Sequence, residues 1–483
     1  MSANLLAVMP LVCVTLFAVG MLLYDLFRKA DPIFWTLGGC FSGILFYFPQ
    51  MVLPRELTAS ALGGLLDVDG FSAFFGTLIL LGTILSSLLH YRQAAAQRAV
   101  ISADVDVLLL LTACGGMVMV SAANLMVFFV GFELLSVCVY VLSGIARHEA
   151  ASSEGALKYF VLGAFSSAFM LYGITLIYGA TGSMDLVTIG HSLAHSYNNM
   201  AIVGLGLLLF GFSFKVSLVP FHFWAPDVYQ GAPVSISGFM AVVVKAAAFG
   251  AFLRVMSQAF IGMTEVWAGL FWTLAALTMT IGNLMALRQR SIKRMLAYSS
   301  VAHAGYALMG FLALGPSGGG EAVVFYMLVY MFMTITAFGV VLVVTAGSDA
   351  QYARDDLDSL SGIGWSHPAL GLVMTVAMLS LAGMPPLSGF MGKLMLFSSV
   401  VNAGYVGLAI IAALNSVVSL YYYLGVVVTM YFSGERKLSW RPPTDIPFGP
   451  GVALALSTFG TVYFGLFSEN CIRLIRLAVK SMG

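Results

Sequence analysis

The chain reads as long apolar runs separated by short polar stretches. Fourteen runs can be drawn, near 3–24, 33–53, 70–90, 105–122, 124–145, 157–180, 199–220, 232–254, 264–287, 293–313, 321–346, 369–400, 403–432 and 449–471. A helix that crosses hydrocarbon needs about 20 mostly apolar residues. A backbone surrounded by lipid must also satisfy its own hydrogen bonds, which favours helices. Strands of a membrane barrel would alternate polar and apolar residues over ~10-residue segments, and the runs here are far longer. The pattern predicts an all-α polytopic membrane protein of about fourteen transmembrane helices. The run at 369–400 is too long for one straight span, and the segment 183–197 has the two-faced pattern of a surface helix.

Composition agrees. Of 483 residues, 60% are apolar and 9% charged, with a mean hydropathy of +0.96. A soluble chain has about a quarter of its residues charged. The net charge of +1 gives no footprint for nucleic acid, and the lipid bilayer is the partner implied. The first run starts near Leu5 without the basic segment and small-residue cleavage site of a secretory signal, so it is read as a retained helix. The cysteines Cys13, Cys40, Cys114, Cys138 and Cys471 form no CxxC pair. Their spacing predicts packing residues and no disulfide framework, zinc site or iron–sulfur cluster.

Lysine and arginine concentrate in inward-facing loops. With the N-terminus outside, fourteen fall inward: Arg28, Lys29, Arg92, Arg98, Arg147, Lys158, Arg288, Arg290, Lys293, Arg294, Arg354, Arg436, Lys437 and Arg441. Five fall outward: Arg55, Arg254, Arg473, Arg476 and Lys480. Both termini are therefore expected outside. Lys215, Lys245 and Lys393 remain, each within a span, and Glu133 joins them in VGFELLSVCVY.

A lone charge at mid-bilayer costs about 2.5–3.5 kcal/mol on insertion scales, and such groups mark ion paths. A desolvated lysine holds its proton less tightly, and a carboxylate alongside reverses that. At a separation near 4 Å and an effective dielectric of about 20 the pair is worth about 4 kcal/mol. A lysine that gains and loses such a partner can bind and release a proton. Glu133 and Lys215 would form this switch if their helices touch. The competing reading is static salt bridges or lysines that reach outward to the interface.

Lys215 precedes Pro220 in FKVSLVPFHFWAPDVYQGAP, and Lys393 follows Pro385 and Pro386 in LAGMPPLSGFMGK. Prolines interrupt a helix, and broken helices at membrane depth are tolerated where they line a wet cavity. The breaks fall in the seventh and twelfth spans. An offset of five spans makes the two copies of a repeat inverted. Ser299, His303 and Tyr306 share one helix face, as do Glu133, Ser136 and Tyr140. His303 can give and take a proton near neutral pH; a hydrogen-bonded core histidine is the alternative. His222 and Asp227 cap or line the first break. His191 and His195 have a metal-like i, i+4 spacing but no third ligand, so no metal is expected.

The stretch LVPFHFWAPDVYQGAPVSISGFMAVVVKAAAFG resembles subunit N of bacterial respiratory complex I, the proton-translocating NADH–quinone oxidoreductase. So do GNLMALRQRSIKRMLAYSSVAHAGY, MLSLAGMPPLSGFMGK and the YYYL at Tyr421. The resemblance covers essentially the whole chain. It implies N-terminal helices over 1–104, a five-helix repeat over 105–254, its inverted copy over 264–432 and a last helix over 449–483. It implies a proton relay of Glu133, Lys215, Lys245 and Lys393, with His303 as a possible member. Related M subunits carry a glutamate in the twelfth span, so Lys393 favours N. The resemblance places no cofactor in this chain: NADH, FMN, iron–sulfur clusters and quinone would sit in partner subunits. The partners implied are the M-, K-, J-, A-, H- and L-type membrane-arm subunits, in the bacterial inner membrane. Two alternatives stand beside it: a subunit of a multisubunit cation/proton antiporter or membrane-bound hydrogenase, and a passive scaffold for a redox arm.

Overall fold

The computed structural model describes residues 3–28, 31–52, 59–96, 103–345, 355–432 and 446–482. The chain is almost wholly helical. The helices are α1 (Ala3–Phe27), α2 (Pro32–Val52), α3 (Gly70–Ala96), α4 (Ala103–Ser121), α5 (Leu125–Ser143), α6 (Ala150–Thr181), α7 (Leu186–His195), α8 (Asn199–Lys215), α9 (Trp224–Gly231) and α10 (Val234–Phe239). They continue with α11 (Lys245–Gln258), α12 (Thr264–Ala286), α13 (Ile292–Met309), α14 (Gly319–Thr345), α15 (Ile363–Ser366), α16 (Pro368–Ala382), α17 (Ser388–Asn402), α18 (Val406–Phe432), α19 (Phe448–Leu466) and α20 (Glu469–Lys480). Among the described residues, 11 helices are long and apolar enough to cross a membrane by themselves. The other three predicted spans are α8, α13 and the broken pair α16–α17, all shorter or more polar.

Two strongly enclosed apolar elements are α14, buried at every residue but Glu321, and the continuous α10–α11 segment. Helices apolar on every side belong in the interior of a bundle. The others wrap them, with α3 and α19 against α14, α4 along α5, α6 along α8, and α12 along α13. Apolar side chains such as Leu45, Phe165, Val417 and Phe459 point outward from this shell, the inverse of a soluble surface.

Four features depart from the sequence reading. An antiparallel hairpin of β1 (Ala59–Ala61) and β2 (Leu66–Val68) precedes α3; its strands are too short to read from pattern. The last apolar run ends at Leu466, and residues 469–480 form α20 as a separate amphipathic helix. Arg254, expected in an outer loop, is fully buried near the end of α11. Its Nη2 donates to Asp69 Oδ1 at 2.8 Å and its Nε to Val120 O at 2.8 Å. Lys293, counted among the inward loop residues, is also buried: it donates to Gln230 O and Ala232 O at 2.5 and 2.8 Å. Lys29, Arg55, Arg98, Arg354, Arg436, Lys437 and Arg441 lie outside the described residues.

Candidate functional site

The first break follows Lys215, the last residue of α8. Val216 to Phe223 leave the helix, Pro220 having no N–H to continue it. Ser217 adopts φ +62°, a left-handed conformation that costs a residue with a Cβ about 1–3 kcal/mol. Bonds from Leu218 N to Ser213 O at 2.8 Å and from Val219 N to Thr278 Oγ1 at 3.0 Å hold the turn. Trp224 Nε1 then caps Phe214 O at 3.0 Å, satisfying one of the carbonyls that α8 leaves open.

Lys215 is buried, and its Nζ donates to Ser136 Oγ at 2.8 Å. The rings of Phe132, Tyr140 and Tyr159 face the ammonium at 5.1, 5.8 and 5.8 Å, within cation–π range. The α5 face bearing Ser136 and Tyr140 therefore does meet Lys215. Glu133 lies on that face, with Oε1 buried and without a hydrogen-bond partner among the described residues. Among the described residues no ion pair joins Glu133 to Lys215 within 4.0 Å. The lysine rests on a hydroxyl and three rings while the carboxylate waits nearby.

Lys245 opens α11, directly after a π-helical turn at Met240–Val244. Such turns disturb the helix ladder and are common at functional positions. Its Nζ donates to both Ser300 O and Ser300 Oγ at 2.6 Å. One turn further along α13, His303 touches Tyr326 OH through Nδ1 at 2.6 Å and Tyr423 OH through Nε2 at 3.1 Å. Tyr423 OH also hydrogen-bonds Ser299 Oγ. The stripe of Ser299, His303 and Tyr306 thus faces α14 and α18.

The second break lies between α16 and α17, where Gly383 caps α16 at φ +88°. Lys393 reaches back over it. Its Nζ donates to Ala382 O at 2.8 Å, Leu381 O at 3.2 Å and Ser416 Oγ at 2.9 Å, over the Tyr306 ring at 5.0 Å. The last carbonyls of a helix carry partial negative charge, so this end favours a cation. One lysine precedes its break in sequence and the other follows it. Even so, Lys215 sits in the last turn of the half-helix before its break, and Lys393, from α17, binds the last turn of α16, the half-helix before its own break.

The end of the first break is charged. Asp227 on α9 accepts from Lys158 of α6 at 2.9 Å and from Arg294 of α13 at 2.8 Å. Partial burial pushes the Asp227 carboxyl up, but Lys158 and Arg294 outweigh it and hold it below the usual carboxylate range. His222 is buried in the break with Nδ1 unpartnered among the described residues. His191 and His195 are exposed on α7, and His195 Nδ1 lies 2.9 Å from the His191 carbonyl. Ser300, Tyr326, Tyr423 and Ser416 are the partners that sequence reading missed. Hydroxyls are common packing residues in apolar spans, so only the fold singles these out.

Residues 122–419, more than half of the chain, match the family described as "NADH:quinone oxidoreductase/Mrp antiporter, TM". The chain is 41% identical to NADH-quinone oxidoreductase subunit N of Trichlorobacter lovleyi, over 99% of this chain and 98% of that one. The chain belongs to the subunit N family. A second subunit N, from Salinibacter ruber, is 41% identical over 90% of this chain and 87% of its own. Among solved structures, a chain of respiratory complex I from Thermus thermophilus with bound aureothin is 34% identical, covers 96% of this chain and 99% of that chain, and has a TM-score of 0.79. A chain of the archaeal membrane-bound sulfane sulfur reductase is 25% identical over 99% and 97% of the two chains, with a TM-score of 0.85. This membrane fold is therefore common to the subunit N family and to other respiratory membrane complexes.

Proposed function

We propose that this chain is a proton-translocating membrane-arm subunit of an NADH–quinone oxidoreductase. The observation that carries the reading is the row of three buried lysines, none ion-paired among the described residues, each held by hydroxyls or carbonyls beside an interrupted helix. An ammonium held by neutral groups alone can release its proton without leaving a carboxylate stranded in a dry interior.

In this reading the family repeat comprises residues 105–254 and its inverted copy at 264–432. Lys215, with Glu133 approaching, takes a proton from the inward side. Lys245, Ser300 and His303 pass it along α13. Lys393 gives it up toward the outside. A neutral His303 ring accepts a proton on one nitrogen and releases one from the other, with tyrosine hydroxyls contacting both nitrogens. NADH oxidation and quinone reduction occur in partner subunits that hold FMN, iron–sulfur clusters and the quinone. This chain joins M-, K-, J-, A-, H- and L-type neighbours in the bacterial inner membrane, with both termini outside. The full-length 41% identity to subunit N favours this reading over a cation/proton antiporter.

The test is Lys215→Ala in the assembled complex, reconstituted in sealed vesicles. NADH-driven proton uptake should fall to a small fraction of the unmodified rate. Full uptake with this variant would remove Lys215 from the path.

A further inference from the structure

The relay uses α5, α8, α11, α13 and the second break. It uses nothing from α1–α3, which lie before the five-helix repeats and outside residues 122–419. Yet α3 carries a polar stripe through the interior. Thr83, Ser86, Ser87 and His90 recur at i, i+3, i+4 and i+7 and are all buried. Beside them, in the first turn of α4, Asp106 is only 4% exposed.

Ser87, one turn before His90 on the same face of α3, links this stripe to Asp106, although among the described residues no ion pair joins Asp106 to His90 within 4.0 Å. Asp106 Oδ1 accepts from Thr36 of α2 at 2.9 Å and from Ser87 at 2.5 Å. His90 Nδ1 lies 3.2 Å from Ser235 Oγ, at the start of α10. Ser86 Oγ is buried with no hydrogen-bond partner among the described residues, an arrangement that natural interiors reserve for wet or working positions. The titratable and charged groups that act on Asp106 are His90 and the exposed Asp31, and Cys40 of α2 is a further titratable neighbour. A carboxylate in the first turn of a helix is favoured by the helix dipole, but a buried carboxylate and a buried imidazole both bordering Ser87's face of α3 cost energy to retain. Hydroxyls alone could tie α2, α3 and α4 together.

Placement gives the cluster a use. It lies at the inward ends of α3 and α4, in the orientation proposed above. Ser235 is ten residues before Lys245 on the same interrupted span, about 15 Å of helix rise. The same side of α3 follows that span: a Cβ at Gly82, one turn before Ser86, would lie 2.8 Å from the Val243 side chain, in the π-helical turn that precedes Lys245.

We propose that Asp106 and His90 form a further proton-holding pair, loading protons from the inward side at the foot of the span that carries Lys245. This inference rests on the relay reading above. The Asp106 carboxylate takes a proton from inward water, and the acid so formed passes it, through water beside Ser87, to a His90 ring nitrogen one turn along α3. Release toward the span regenerates carboxylate and neutral imidazole, so no charge accumulates over a cycle. The N-terminal helices then contribute chemistry as well as a wall.

The test uses the intact complex in sealed vesicles, with NADH oxidation and proton uptake read together at inward pH 6 and pH 8. Asp106→Asn keeps an acceptor for Thr36 and Ser87 but cannot take up the proton. His90→Gln keeps a polar group against Ser235. Both variants should lower uptake severalfold, with the larger loss at pH 8 where protons are scarce, and Asp106→Glu should restore it. If Asp106→Asn fails to assemble, His90→Gln carries the test. Uptake equal to the unmodified complex at both pH values overturns the proposal, as does a loss of the same size at both. Lys245→Ala in the same vesicles separates the two readings. If it stops uptake while the Asp106 and His90 variants pump normally, only this inference fails. If it pumps normally, the relay itself fails.

Discussion

Arg254 offers the most demanding test of how this bundle is held. The residue is fully buried, its guanidinium pairs with Asp69, and the Phe71 ring covers it at 5.2 Å. Arg254→Met keeps much of the side-chain volume but leaves the Asp69 carboxylate, 6% exposed, and the Val120 carbonyl facing an apolar group. Breaking a buried pair from one side costs about 3–5 kcal/mol, because an uncompensated charge remains. Asp69→Leu leaves the guanidinium only the more distant, part-exposed Asp67, 3.8 Å from Nη1, and it also removes the cap on α3, where Asp69 Oδ1 accepts from Ser72 N at 2.7 Å. That cap is worth about 1 kcal/mol. The double variant Arg254→Met, Asp69→Leu removes both charges and should recover most of the loss, leaving the ~1 kcal/mol of the missing cap. The assay is a double-mutant cycle on thermal dissociation of the detergent-solubilised complex, read by the release of this subunit. Strong non-additivity is expected, since the two side chains share one interaction. If Arg254→Met costs under about 1 kcal/mol, as an exposed pair would, or if the two changes add, the clamp is not what holds α11 to α3.

Two further outcomes follow from the geometry. Lys158 and Arg294 hold the Asp227 carboxyl below its ordinary value, so the ion pairs stabilise the fold above the unfolded carboxyl's pKa of about 3.9 and lose their effect as pH falls through the lower folded value. The difference in melting temperature between the unmodified protein and Asp227→Asn should stay constant from about pH 5 to 8 and shrink only below about pH 4. A Cβ at Gly131 would lie 2.8 Å from Gly115 O and from Met119 N, both backbone atoms of α4 that cannot move aside singly. Gly131→Val should therefore force α5 off α4 and displace Ser136 from Lys215. The check is the amount of assembled complex on a native gel, which should drop sharply.

The sequence made the spans legible because lipid imposes one rule on all of them, a run of about 20 apolar residues. Pro220, Pro385 and Pro386 made the breaks legible because proline has one backbone consequence regardless of context. The buried lysines stood out because charge is rare in such runs. Legibility ended where a partner lies far along the chain. Arg254 sits at the end of its apolar run, so its burial depends on Asp69, 185 residues earlier, which no local pattern reveals. Asp106 sits at the start of a run and looks like a loop residue until α2 and α3 are laid against it. The amphipathic α20 was merged into the last span because an apolar stretch gives no sign of where a helix turns along a surface.

The distance between Glu133 and Lys215 bears on mechanism more than any contact that is made. Were the two locked together in a dry interior, parting them would cost several kcal/mol, and the lysine would have little reason to release its proton. Here Lys215 binds a hydroxyl, and the carboxylate keeps a buried oxygen without a partner among the described residues. Both groups are thus left in an arrangement that a modest side-chain movement can change. The hydroxyl gives the ammonium a resting place, and the carboxylate gives it a reason to move. A pump needs two states of similar free energy, and under the proposed relay a lysine held by neutral groups, with Glu133 on the helix face it meets, would provide them.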